Sequence, residues 1–101
     1  MARLIVLHDQ MLHRYVDLGW RQLKIGRGPQ NDIVLDDPEK AVSRFHAEVR
    51  REGDDYVLID LNSQNGTWMD AQRIDRVVLR VGVPVAIGPF LLVLDGGSDA
   101  R

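Results

Sequence analysis

Apolar residues along this chain fall in short runs rich in β-branched side chains, each cut off by turn residues. No apolar stripe at helical spacing is long enough to bury a helix, so the runs predict strands. They lie at Ala2–His8, Leu12–Leu18, Arg21–Gly26, Asp32–Leu35, Phe45–Arg51, Tyr56–Asp60, Thr67–Met69, Arg73–Val78, Val83–Ile87 and Phe90–Leu94. Alternation is clearest in His46-Ala47-Glu48-Val49-Arg50, where Ala47 and Val49 should face one way and the polar residues the other. Turn signals stand between the runs: Gly19, Gly28-Pro29, Asp37-Pro38, Gly53-Asp54, Asn65-Gly66, Gly82 and Gly88-Pro89. Many short strands at regular spacing predict an all-β sandwich or barrel, with binding residues gathered on loops at its ends.

Composition narrows this picture. A chain of 101 residues holds one domain with one core, and 45% hydrophobic with 28% charged residues is the balance of a soluble globular protein. A formal net charge of -2 and few aromatics argue against nucleic-acid binding. The absence of cysteine excludes a disulfide framework and a thiolate zinc site. His8, His13 and His46 lack the spacing of a metal cluster, so neither metal nor cofactor is expected. The first apolar run stops at His8-Asp9, too soon for a signal-peptide core or membrane span, which makes the cytoplasm the default location. The Gly-Gly-Ser stretch near the end reads as linker, so a domain is expected over 1–94 and a tail over 95–101.

Three loops carry more polar chemistry than a turn demands. In the first, Gly26 and Gly28 bracket Arg27, whose planar guanidinium suits two-pronged pairing with carboxylate or phosphate. A solvated arginine beside a turn is the plainer reading of that loop alone. In the second, Ser43 and Arg44 offer a hydroxyl and a second cation, while His46 reads as a buried ring tying loops together through both nitrogens. Ser43 could equally serve only its own turn. The third places Asn62-Ser63-Gln64 before Asn65-Gly66, and Asn-Gly between apolar strands is by itself a strong hairpin signal.

Taken in order, Gly-Arg, Ser-x-x-His and Ser-x-Asn-Gly-Thr closely resemble the motifs of the forkhead-associated (FHA) domain family. Asn31-Asp32-Ile33, Phe45-His46-Ala47, Asp60, Arg73-Ile74 and Val85-Ala86-Ile87-Gly88-Pro89-Phe90 extend the resemblance over about Leu23 to Leu94. It implies a twisted antiparallel β-sandwich of two sheets that binds phosphothreonine peptides through loops at one end. Position by position, it implies that Arg27, Ser43 and Arg44 bind phosphate, and that Ser63, Gln64 and Asn65 meet the peptide. Gly26, His46 and Gly66 then structure the loops. Gln64 stands where many family members carry threonine or a basic residue, and its amide donates without charge. The resemblance also implies an upstream Ser/Thr kinase and a phosphorylated partner, in another chain or in the same parent chain. The isolated domain is expected to be a monomer. The acidic loop Asp36-Asp37-Pro38-Glu39 suggests a preference for basic flanking residues.

Two other classes compete. Ser43, His46 and Asp60 could form a hydrolase trio, but no Gly-x-Ser-x-Gly elbow is present and the chain is small for a substrate cleft. No enzyme is therefore expected. A phosphate-independent interaction or dimerisation domain of the same fold is the second, and retention of Arg27, Ser43 and Asn65 favours the phosphate reader.

Overall fold

Eleven strands form among the residues that the computed structural model describes, 2–19 and 21–96. They are β1 (Arg3–His8), β2 (Met11–Asp17), β3 (Leu23–Gly26), β4 (Ile33–Val34), β5 (Ala47–Glu52) and β6 (Asp55–Asp60). After these come β7 (Thr67–Met69), β8 (Gln72–Ile74), β9 (Arg76–Val78), β10 (Val85–Ile87) and β11 (Phe90–Asp95). Of the tail expected over 95–101, Asp95 instead belongs to β11, paired with Arg3 of β1, and residues 97–101 lie outside the described region.

The strands build two sheets, in the orders β2-β1-β11-β10-β7-β8 and β4-β3-β5-β6-β9. Period-2 burial explains the sandwich: β11 alternates buried Phe90, Leu92 and Leu94 with half-buried residues, and β1 does the same with Leu4 and Val6. These side chains share one core with Leu23, Ile25, Ala47, Val49 and Leu58 of the second sheet. The named strands pair antiparallel except β3 and β4, which run parallel with Ile25 opposite Ile33, and a single parallel bridge joins Val81 to Leu94.

Three details differ from the sequence reading. The run expected over Arg73–Val78 divides at Asp75, so that β8 joins the first sheet and β9 the second. The carbonyl of Asp75 accepts the N–H of Asp60 at 2.8 Å and fixes that crossing. Strand β5 is covered on both faces over Ala47–Val49, with Glu48 only 7% exposed because Gln22 donates to it and Arg50 pairs with it at 3.2 Å. Asn65-Gly66 is no hairpin turn either; it lies in the connection that carries the chain from β6 in one sheet to β7 in the other. The hairpin that follows turns at Asp70-Ala71, whose φ angles of 52° and 64° are those of a type I′ turn.

Candidate functional site

The loops β3–β4, β4–β5 and β6–β7 meet at one end of the sandwich, and His46 joins them. Its ring is fully buried. Nδ1 accepts the backbone N–H of Ser43 at 3.0 Å, which places the ring proton on Nε2, where it donates to the carbonyl of Gly66 at 2.9 Å. Burial is the main force pushing this imidazole below its ordinary value of 6.5, partly opposed by the Gly66 hydrogen bond, so the ring is held neutral. Backbone bonds complete the junction: His46 N–H donates to Ile25 at 2.8 Å, and its carbonyl accepts from Leu61 at 2.9 Å.

Ser43 is held at three atoms. Besides the N–H bound by His46, its carbonyl accepts the N–H of Arg27 at 3.0 Å and its Oγ accepts the N–H of Gln64 at 3.0 Å. An Oγ that accepts from within the loop still has its own proton to donate outward. The same geometry removes the hydrolase trio, because both His46 nitrogens bond backbone groups and neither serves the Ser43 hydroxyl.

Arg44 follows Ser43 in sequence, and Arg27 is tied to it through the backbone. Arg27 Nε donates to the carbonyl of Val42 at 3.0 Å, which aims the guanidinium while leaving its terminal nitrogens available. The Arg44 side chain is exposed, while its carbonyl accepts from Gly28 N–H at 3.1 Å and from Asn31 Nδ2 at 2.7 Å. Among the described residues, neither arginine has a carboxylate within ion-pair reach. Gly26 makes the approach of these loops possible: a Cβ there would lie 2.2 Å from the Arg44 carbonyl oxygen.

The third loop is organised by Asp60. Its carboxylate accepts from Ser63 N–H at 2.9 Å, Ser63 Oγ at 2.6 Å and Thr67 Oγ1 at 2.7 Å. Burial alone would raise its pKa, but these hydrogen bonds outweigh that and hold the carboxyl below its ordinary value of 3.8. Ser63, expected to meet peptide, is only 4% exposed, and its hydroxyl both donates to Asp60 and accepts from Gly66 N–H at 3.0 Å. Gln64 and Asn65 are exposed; Asn65 Nδ2 donates to the carbonyl of Ala41 at 3.0 Å, tying this loop to the second. Asp37 of the acidic loop is buried and accepts from the N–H groups of Glu39, Ala41 and Val42, which leaves Asp36 and Glu39 as the exposed acids there.

Two residues with no role in the sequence reading also hold this loop. Trp68 Nε1 donates to the carbonyl of Asn65 at 3.0 Å, and Arg73 Nη2 to that of Ser63 at 2.9 Å. They stand opposite each other in the β7–β8 hairpin, and both crowd Gly66, where a Cβ would lie 2.7 Å from Arg73 Nε. Alternation placing Trp68 and Arg73 on one face of a hairpin was the available signal, hidden by assigning the turn to Asn65-Gly66. Among the described residues, no group of three or more His, Asp or Glu side chains is arranged to hold a metal ion.

Two packed sheets with loops from both gathered at one end define a β-sandwich interaction module. The FHA-domain profile matches residues 23–88, and the chain belongs to the FHA-domain family. It is 44% identical over 82 residues to the glycogen accumulation regulator GarA of Mycolicibacterium smegmatis, covering 74% of this chain and 51% of that protein. It is 47% identical over 73 residues to an oxoglutarate dehydrogenase inhibitor of Corynebacterium jeikeium, covering 72% and 49%. The chain thus spans about half the length of these curated relatives. Among solved structures, the FhaA FHA domain, crystallised with the intracellular domain of Rv3910, superposes with a TM-score of 0.81. That match has 29% identity and covers 93% of this chain and 99% of the other.

Proposed function

We propose that this chain is a non-catalytic reader of phosphothreonine in a partner protein. The observation that carries the reading is Ser43, fixed at its N–H, its carbonyl and its hydroxyl oxygen, in loops that also carry Arg27 and Arg44, which no described carboxylate neutralises. A phosphothreonine brings nearly two negative charges and three acceptor oxygens. Arg27, Arg44 and the Ser43 O–H supply charge-assisted donors to it, and Asn65, pinned by Ala41, presents its remaining amide groups to the peptide backbone. Gln64 contributes an uncharged amide beside them. Gly26, His46, Gly66 and the buried Ser63 support the loops from below.

The relatives named as a regulator and as an inhibitor support a role exerted by binding a partner protein rather than by chemistry on a substrate. A Ser/Thr kinase acts upstream in this reading, and the chain works as a monomer in the cytoplasm, as a domain whose last strand ends at Asp95. Among the described residues no helix is long and apolar enough to cross a membrane. Exposed Asp36 and Glu39 favour basic residues beside the phosphothreonine; equal binding of acidic and basic flanks on a peptide array would remove that preference. The reading itself is tested by titrating the chain with matched phosphothreonine, phosphoserine and unmodified peptides from a diverse library. Binding confined to phosphorylated peptides supports it, and no phosphopeptide binding contradicts it.

A further inference from the structure

The two outer faces of this sandwich differ in kind. On the second sheet, Glu48, Arg50, Glu52 and Arg76 form a charged ladder over Val57 and Ile59. The first sheet presents two apolar rows instead, bounded on one side by the Arg3–Asp95 ion pair, whose guanidinium lies 4.0 Å over the Tyr15 ring. Residues directly opposite one another in a sheet share a face, and the register aligns Leu12, Leu7, Leu91, Ala86 and Trp68 in one row across five strands. Tyr15, Ile5 and Val93 form a second row beside it. Ile5, Leu7, Ala86, Leu91 and Val93 alternate with core-facing neighbours and so point outward, and Leu12, Tyr15 and Trp68 stand opposite members of that set across the sheet. Leu12, Tyr15 and Trp68 are 55%, 49% and 40% exposed, and the others are half-buried.

The first row runs into the peptide-binding loops. Trp68, its last member, donates to the carbonyl of Asn65, and Arg73, opposite Trp68, donates to that of Ser63. A chain leaving the phosphate site beside Asn65 therefore meets Trp68 first, with Ala86, Leu91, Leu7 and Leu12 beyond it. Between Trp68 and Leu12 the row carries no charge. Four strand spacings separate its ends, about 19 Å, which an extended chain spans with roughly six residues.

We propose that the outer face of the first sheet is a second docking surface for the phosphorylated partner. Its occupant is an extended apolar segment of the same partner chain, flanking the phosphothreonine and crossing the strands from Trp68 to Leu12. The inference rests on the phosphothreonine reading. The loops supply dependence on phosphorylation, and the row supplies discrimination among phosphorylated partners, because burying a few leucine-sized side chains changes affinity severalfold to a hundredfold.

The test uses the whole chain and two peptide libraries. One contains short phosphothreonine peptides; the other adds a randomised extension of about ten residues on either flank. Selection should enrich Leu, Ile, Phe or Trp in the extension, and a selected long peptide should bind at least about tenfold more tightly than its short core. Leu12→Glu and Leu91→Lys should abolish that gain while leaving the affinity for the short core within about twofold. Leu12 lies exposed on an edge strand, so its variant keeps the test valid if Leu91→Lys impairs folding. Extensions selected without apolar preference, or a gain untouched by Leu12→Glu, overturn the inference. So does sedimentation showing a dimer that Leu12→Glu dissociates, since a second copy would then occupy the face. If the short phosphothreonine peptides themselves fail to bind, the phosphothreonine reading falls first and takes this inference with it.

Discussion

His46 makes the binding end of this molecule sensitive to acid in a definite direction. Its neutral ring accepts from Ser43 and donates to Gly66, and protonation would set an N–H against the Ser43 N–H. The folded pKa lies below the ordinary 6.5, so the unfolded chain binds more protons there. The stability contributed is complete above about pH 6.5 and falls as pH drops below it. Asp60, also lowered, contributes stability above 3.8 that is lost only as pH falls through its lower folded value. Urea unfolding should therefore give a midpoint that declines between about pH 7 and 5, and His46→Phe should flatten that decline. A wild-type midpoint constant over this range would contradict the neutral-ring assignment. Gly26 gives a second residue-scale expectation. With a carbonyl oxygen 2.2 Å from any added Cβ, Gly26→Ala should destabilise by about 2 kcal/mol or more, measured by denaturant titration. Gly53, with nothing within 4 Å of a Cβ but a φ of +64°, should cost about 1 kcal/mol as alanine.

At the scale of elements, the β7–β8 hairpin is a clamp on the β6–β7 loop. Arg73→Ala should lower phosphopeptide affinity about three- to tenfold by releasing the Ser63 carbonyl. An affinity change matched by loss of folded protein would mark Arg73 as merely structural, and partial rescue by Arg73→Lys would support positioning. The hairpin turn carries Ala71 at φ 64°, a conformation that costs an L-residue about 1 kcal/mol. Ala71→Gly should accordingly raise stability by up to that amount in urea unfolding, with peptide affinity unchanged. Elements were the scale at which sequence reading was most and least successful. β-branched runs with flanking turn residues located most strands, because strand burial alternates with period two. Nothing local reveals that a continuous run such as Arg73–Val78 changes sheets at Asp75, since that crossing is set by a long-range bond to Asp60. Asn65-Gly66 misled for a similar reason: its conformation is imposed by Ser63, Trp68, Arg73 and His46, not by its own turn preference.

For the whole molecule, the spacing of Gly26-Arg27, Ser43 and His46, and Ser63 to Thr67 made the family legible before any coordinates. The same spacing could not separate residues that face a ligand from residues that hold the loop. Ser63 and Asn65 are two positions apart in one polar run, yet one is sealed beneath the loop and the other exposed. The apolar outer face of the first sheet was equally hidden, because its rows run across strands and draw on residues from both ends of the chain. The central claim joins both ends of this hierarchy: a sandwich that holds Ser43 and Arg27 rigidly enough to read a phosphate. Calorimetric titration of a selected phosphothreonine peptide against the intact chain and Arg27→Ala tests it most directly. The account predicts binding by the intact chain, none to the unmodified peptide, and a loss of about ten- to a hundredfold in the variant with its unfolding midpoint preserved. Equal affinity for phosphorylated and unmodified peptide, or a folded Arg27→Ala variant that binds as tightly as the intact chain, would contradict it.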